Sequence, residues 1–161
     1  MQHYKTSLVD EAATQALGKS LAHCLQVGIV INLHGDLGAG KTALTRAILH
    51  AAGHQGTVKS PTYTLAEPYE ILVQGQVTKL MHFDLYRMRS PDEFIEAGFR
   101  DEMNEQTICI IEWPEKADGI LPLPDLEIHF AIIDVGREVE LRALSEKGKV
   151  CLSQLHFAPN L

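Results

Sequence analysis

The stretch Gly35-Asp36-Leu37-Gly38-Ala39-Gly40-Lys41-Thr42 restricts this chain more than anything else in its 161 residues. It satisfies G-x-x-x-x-G-K-[ST] in full. It also stands between an apolar run, residues 27–33, that reads as a strand buried on both faces and a helical pattern over residues 42–52 that stops at Gly53. Strand, glycine turn and helix in that order let successive backbone N–H groups point inward and meet a phosphate at a helix N-terminus. Asp36, Leu37, Gly38, Ala39 and Gly40 then offer main-chain amides. Lys41 brings a point charge to the β- and γ-phosphates, and Thr42 a hydroxyl to Mg²⁺. A glycine-rich turn with a purely structural purpose has no need of Lys-Thr there. The pattern predicts a nucleoside triphosphate site.

Such a site needs an acid at a neighbouring strand end to hold or orient the Mg²⁺ shell. Glu112 directly follows the fully apolar run Thr107-Ile108-Cys109-Ile110-Ile111, with Glu in place of the usual Asp. Asp84 follows Leu80-Met81-His82-Phe83 and is the second candidate. A surface or capping role is the alternative for each. For the base, Asp84-Leu85-Tyr86-Arg87 lacks the glycine of D-x-x-G. Glu115-Lys116-Ala117-Asp118 has Glu where a guanine motif has Asn or Thr. ATP with Mg²⁺ is the expected pair.

The rest of the chain alternates helices and strands. Asp10 reads as the N-cap of a helix carrying Ala12, Ala16, Leu17, Leu21 and Leu25, with Gly18 an unfavourable residue inside it. Residues 62–86 read as two strands around Gln74-Gly75-Gln76. Ser90-Pro91-Asp92-Glu93 reads as a helix start. Residues 126–133 and 138–144 alternate around Val135-Gly136-Arg137, another hairpin. The predicted class is α/β: a three-layer, P-loop NTPase-like sandwich with a mixed sheet and antiparallel edge hairpins, and residues 1–161 in a single domain.

Composition narrows the partners. The formal charge is −7, and no Lys/Arg cluster with interleaved aromatics is present, so the chain is not expected to grip nucleic acid by itself. Cys24, Cys109 and Cys151 form no CxxC pair and read as buried, reduced thiols. The eight histidines show no metal-ligating spacing, and His82 reads as a core or edge residue. Trp113 suits either stacking in the cleft or packing, while Arg87, Arg89 and Arg100 suit phosphate contacts or surface ion pairs. The N-terminus lacks a leader-type apolar region, and no apolar run approaches the roughly 20 residues of a membrane span. A soluble, cytoplasmic protein without a membrane partner is expected.

GDLGAGKT, VKSPTYTL, HFDLYR, PDEFIEAGFRD and IIEWPEK, in that order, resemble the bacterial tRNA threonylcarbamoyladenosine-biosynthesis ATPases, the TsaE (formerly YjeE) family, from about Asp10 to Arg137. The resemblance implies a small P-loop ATPase needed to place threonylcarbamoyl on N6 of adenosine 37 in tRNAs reading codons that begin with A. It implies action beside two partner subunits, TsaD and its paralogue TsaB, with tRNA met only indirectly. By residue it implies phosphate binding by Lys41, Mg²⁺ ligation by Thr42 and Glu112, and a catalytic acid at Asp84. It implies a switch-like segment at Ser60-Pro61-Thr62, and Glu11 with Gly136-Arg137 flanking the adenine. Two other classes stay open on the residues: a small-molecule kinase, which needs an Arg-rich lid, and a nucleotide-dependent binding module with incidental turnover.

Overall fold

The computed structural model describes residues 3–61 and 63–155. In chain order its elements are β1 (His3–Leu8), α1 (Glu11–Cys24), β2 (Val30–His34), α2 (Lys41–Ala51), β3 (Ala66–Val73), β4 (Gln76–Asp84), α3 (Pro91–Glu96), β5 (Thr107–Glu112), β6 (Leu126–Ile133), β7 (Gly136–Ala143) and α4 (Glu146–Ser153). Two 3₁₀ turns, Phe99–Glu102 and Pro114–Ala117, flank β5. Among the described residues one sheet forms, ordered β1-β7-β6-β2-β5-β4-β3. The pairs β6/β2, β2/β5 and β5/β4 are parallel, whereas β1/β7, β7/β6 and β4/β3 are antiparallel. The expected mixed α/β sandwich with antiparallel edges is the observed fold.

Strand β5 shows why its sequence is apolar at every position from Ile108 to Ile111. Ile108 and Ile110 enter the core shared with Leu17, Leu21, Leu44 and Ile48 of α1 and α2. Cys109 and Ile111 enter a second core with Phe83 and Phe94 on the other face. A parallel strand covered by helices on both sides has no solvent-facing register to leave polar. The three cysteines are buried and free, as expected, and burial pushes the Cys109 thiol up to about 12.

Several boundaries differ from the sequence reading, each for a local reason. Strand β2 begins at Val30 rather than residue 27, because Gly28 adopts φ +84° in a turn. Strand β3 begins at Ala66, since Leu65 takes φ +67°. The β3–β4 turn is the two-residue Gln74-Gly75, both with positive φ, as a tight hairpin requires. The other hairpin turns at Asp134-Val135, so Gly136 and Arg137 already belong to β7. Ser90 precedes α3, but its side chain makes no capping bond. Glu93 instead accepts from the Arg89 N–H, and the helix ends after six residues before left-handed Gly98. Strand β1 and helix α4 were not foreseen. Asp125 ties α4 down by accepting from both the Val30 N–H (2.8 Å) and the Ser145 hydroxyl (2.6 Å).

Gly18 is where α1 and α2 approach most closely. A Cβ there would lie 2.4 Å from Ala47 Cβ and 2.9 Å from the Ala47 carbonyl carbon. The residue that weakens the helix locally is what permits the packing. Gly18→Ala is therefore expected to lower stability by about 1–3 kcal/mol despite alanine's better helix propensity. Thermal unfolding would measure it, and an unchanged or higher melting temperature would contradict the close-packing account.

Candidate active site

Helix α2 starts unlike its neighbours. Asp10 accepts from Ala13 N–H at the start of α1, and Ser145 accepts from Gly148 N–H at the start of α4. Gly40, at the N-cap of α2, has φ +106° and no side-chain capping bond, and the first turn holds no acid. The first-turn N–H groups have no intrahelical acceptors, and the helix dipole makes this end positive. Placing Lys41 there adds a like charge, an arrangement that favours an anion.

The loop itself is held from behind. Arg137 donates from Nε to Ala39 carbonyl (3.1 Å) and from Nη2 to Gly38 carbonyl (3.0 Å). Gly35 must lack a Cβ, since one would lie 3.0 Å from Phe130 Cβ. Arg137 thus engages two of the loop's carbonyls on the side away from the cleft.

In front of the loop lies a cleft of about 490 Å³ whose lining includes Lys41, Thr42, Ser60, Asp84, Glu112 and Trp113. Register brings the two acids together: Asp84 and Glu112 are paired residues on parallel β4 and β5. Glu112 is 2% exposed. Its carboxylate accepts from the Thr42 hydroxyl (3.1 and 3.2 Å) and from His82 Nε2 (2.6 Å). With a carboxylate as partner, His82 carries its proton on Nε2. Lys41 donates to the Gly35 carbonyl, and its ammonium lies 3.8 Å from the centroid of the Trp113 ring. Trp113 reaches that position through left-handed backbone (φ 58°, ψ 49°), and the following Pro114 disfavours the right-handed helical alternative.

Two groups are held away from their ordinary titration. Burial pulls the Lys41 ammonium below the usual lysine range, against the opposing pull of Glu112 and Asp84. Burial, followed by the charge of Glu112, pushes the Asp84 carboxyl above the usual range.

Lys41, Thr42, Asp84 and Glu112 thus converge with Leu37, Gly38 and Gly40 in one cleft. Asp36 and Ala39 complete the loop, Asp36 accepting from Ala39 N–H through its carbonyl. Glu11 lines a neighbouring groove between α1 and α2 that meets the cleft at Ala43. Gly136 packs behind the loop against Leu8. Ser60 lines the cleft, while Thr62 lies outside the described residues. His82 was read from sequence as an ordinary core residue. Its period-2 alignment with Asp84 was the available signal for a place beside the acids.

The sequence model of the family described as "Threonylcarbamoyl adenosine biosynthesis protein TsaE" matches residues 8–139. The chain belongs to the TsaE family. The "tRNA threonylcarbamoyladenosine biosynthesis protein TsaE" of Haemophilus influenzae is 44% identical over 158 residues, covering 95% of this chain and 98% of the relative. That of Bacillus subtilis is 31% identical over 162 residues, covering 100% and 99%. Among solved structures, Bacillus subtilis YdiB is similar with a TM-score of 0.74 at 27% identity, over 95% of this chain and 94% of that one. The cleft of this TsaE-family chain is therefore carried by a shared fold as well as a shared sequence.

The raised Asp84 pKa has a consequence for stability. The fold holds the Asp84 proton more tightly than the unfolded chain does, so stability contributed by the neutral form is lost as pH rises above the usual carboxylate range. Asp84→Asn, which keeps an acceptor for Tyr86 N–H, is expected to melt higher than the parent at pH 7. The gap should close as pH falls below that range. A variant that melts lower at pH 7 would show that ionised Asp84 supports the ligand-free fold.

Proposed function

We propose that this chain binds ATP with Mg²⁺ in the cleft and hydrolyses it, and that turnover serves threonylcarbamoylation of tRNA adenosine 37 in the cytoplasm beside TsaD- and TsaB-type subunits. The observation that supports this most is the uncapped start of α2, where Lys41 and the Thr42–Glu112 contact meet at one helix end. A phosphate chain satisfies the amides that no side chain caps. The Thr42 hydroxyl and Glu112 carboxylate are hard oxygen donors, close enough to share one ion, and fit Mg²⁺. Held by Thr42 and Glu112, Mg²⁺ would neutralise the charge that develops in phosphoryl transfer.

The chain's own groups divide the remaining work. Lys41 leaves the Gly35 carbonyl and places its ammonium on the β- and γ-phosphates. Glu112 is held in orientation by His82. Asp84 orients the attacking water, and its raised pKa moves it in the direction a general base needs. Arg137 holds Gly38 and Ala39 and, with Gly136 and Glu11, flanks the adenine. No arginine side chain besides Arg87 lines the cleft among the described residues. A partner that supplies a cation to the γ-phosphate would therefore accelerate turnover, as trans-acting arginines do by roughly 10³ to 10⁵. The net charge of −7 leaves tRNA to the partners.

Lys41→Ala is expected to abolish turnover and weaken ATP binding, and parental hydrolysis by that variant would refute the site. Asp84→Ala should cut kcat by about 10²-fold or more at nearly parental nucleotide affinity. Glu112→Ala should instead make the residual rate depend on Mg²⁺ concentration. Fluorescent-nucleotide titration separates the two, and equal loss of affinity in both would contradict the division of roles. Steady-state hydrolysis by the chain alone, with tRNA alone, and with the two partner subunits should be slow, slow and fast. Stimulation by tRNA alone equal to that by the partners would overturn the partner reading.

A further inference from the structure

The sheet has a second cluster of chemistry-bearing side chains, on the face away from α1 and α2. Ile31, Leu33, Leu126, Ile128 and Phe130 point into the helix-covered core, so His34 on β2 and Glu127 and His129 on β6 alternate to the opposite face. The parallel register sets His34 directly beside His129, and Glu127 two residues earlier on the same strand. The two imidazoles stack with centroids 4.5 Å apart and planes within 6°. His129 Nε2 lies 3.1 Å from one Glu127 oxygen and His34 Nε2 lies 3.6 Å from the other. At that distance His34 makes no hydrogen bond, and its buried Nε2 has no other partner among the described residues. A buried ring nitrogen left in this state costs free energy unless something fills the place.

We propose that His34, Glu127 and His129 form a binding site for one divalent transition-metal ion of the zinc class. One ligand atom from each of the three lies within 4.8 Å of the others. Ligands at zinc distances in a tetrahedron stand roughly 3.4 Å apart, and each imidazole nitrogen lies near that distance from one of the two Glu127 oxygens, at 3.1 and 3.6 Å. Two imidazoles and one carboxylate are a borderline donor set that zinc prefers over Mg²⁺. Strand pairing keeps both rings within reach of one ion, and one of the two stacked rings turns about its side-chain bonds to aim its nitrogen at it. The side chains are 27%, 22% and 32% exposed in the order His34, Glu127, His129, leaving a fourth position open to water or a partner's ligand. Because Gly35 follows His34, an ion here fixes the strand end from which the phosphate loop springs.

The test uses the untagged full chain with Zn²⁺ alone by calorimetry and Co²⁺ alone by visible absorption. Expected are one Zn²⁺ per chain, tetrahedral Co²⁺ bands, and affinity reduced by more than roughly 100-fold in His34→Ala and in His129→Ala, beyond what loss of an outer partner produces. Glu127→Gln keeps the side chain's shape and should lose the Co²⁺ bands at a parental metal-free melting temperature. Glu112→Gln, which alters the Mg²⁺ oxygens, should retain them. Absence of Zn²⁺ binding, or binding that is lost in Glu112→Gln and kept in the histidine variants, would overturn the proposal.

Discussion

A carboxylate at the end of a doubly covered parallel strand is the constraint around which this structure is organised. Glu112 is almost wholly removed from water, and a charge in that position is tolerated only if it is paired and hydrogen-bonded. Its partners come from two different elements: the Thr42 hydroxyl from the first turn of α2 and the His82 ring from β4. Satisfying one side chain therefore locks the helix start to the sheet and sets β4 against β5. The phosphate loop, held between β2 and α2 and clamped from behind by Arg137, inherits its position from that arrangement.

The cleft that results is electrostatically unfinished. Lys41 is pulled down by burial, Asp84 is pushed up by burial and by Glu112, and α2 presents an uncapped positive end. Each of these weighs against the ligand-free fold, and the phosphate chain and cation proposed for the cleft would relieve each. Proteins accept such local costs where a site must be ready for a ligand. Its neighbours α1 and α4 are capped in the ordinary way, by Asp10 and Ser145.

The two faces of the β2/β6 pair divide the molecule's chemistry. One carries the aliphatic residues that seat α1 and α2, and through Phe130 supports the loop. The other carries the His34, Glu127 and His129 cluster beneath the same loop's first residue. Strand alternation alone separates them, so a single residue of slip in β6 would exchange aliphatic for polar on both faces.

Much of this was legible without coordinates wherever a local pattern encodes a local structure. The motif 35–42, the all-apolar run before Glu112, the Gln74-Gly75 turn and the Asp10 cap each depend on residues a few positions apart. Boundaries set by left-handed backbone, as at Gly28, Leu65 and Asp134, were shifted because many residues before and after them fit the strand pattern equally well. What the linear order left undetermined was register. Strand β1 is defined by pairing with β7, some 130 positions away. The same holds for His82 beside Glu112, Arg137 behind Gly38, and His34 beside His129: each meeting is set by which strands pair and with what offset. Residue types and their spacing determined what chemistry this chain can perform; only the assembled sheet, whose pairing is decided by burial summed over the whole core, determined which of those residues face one another.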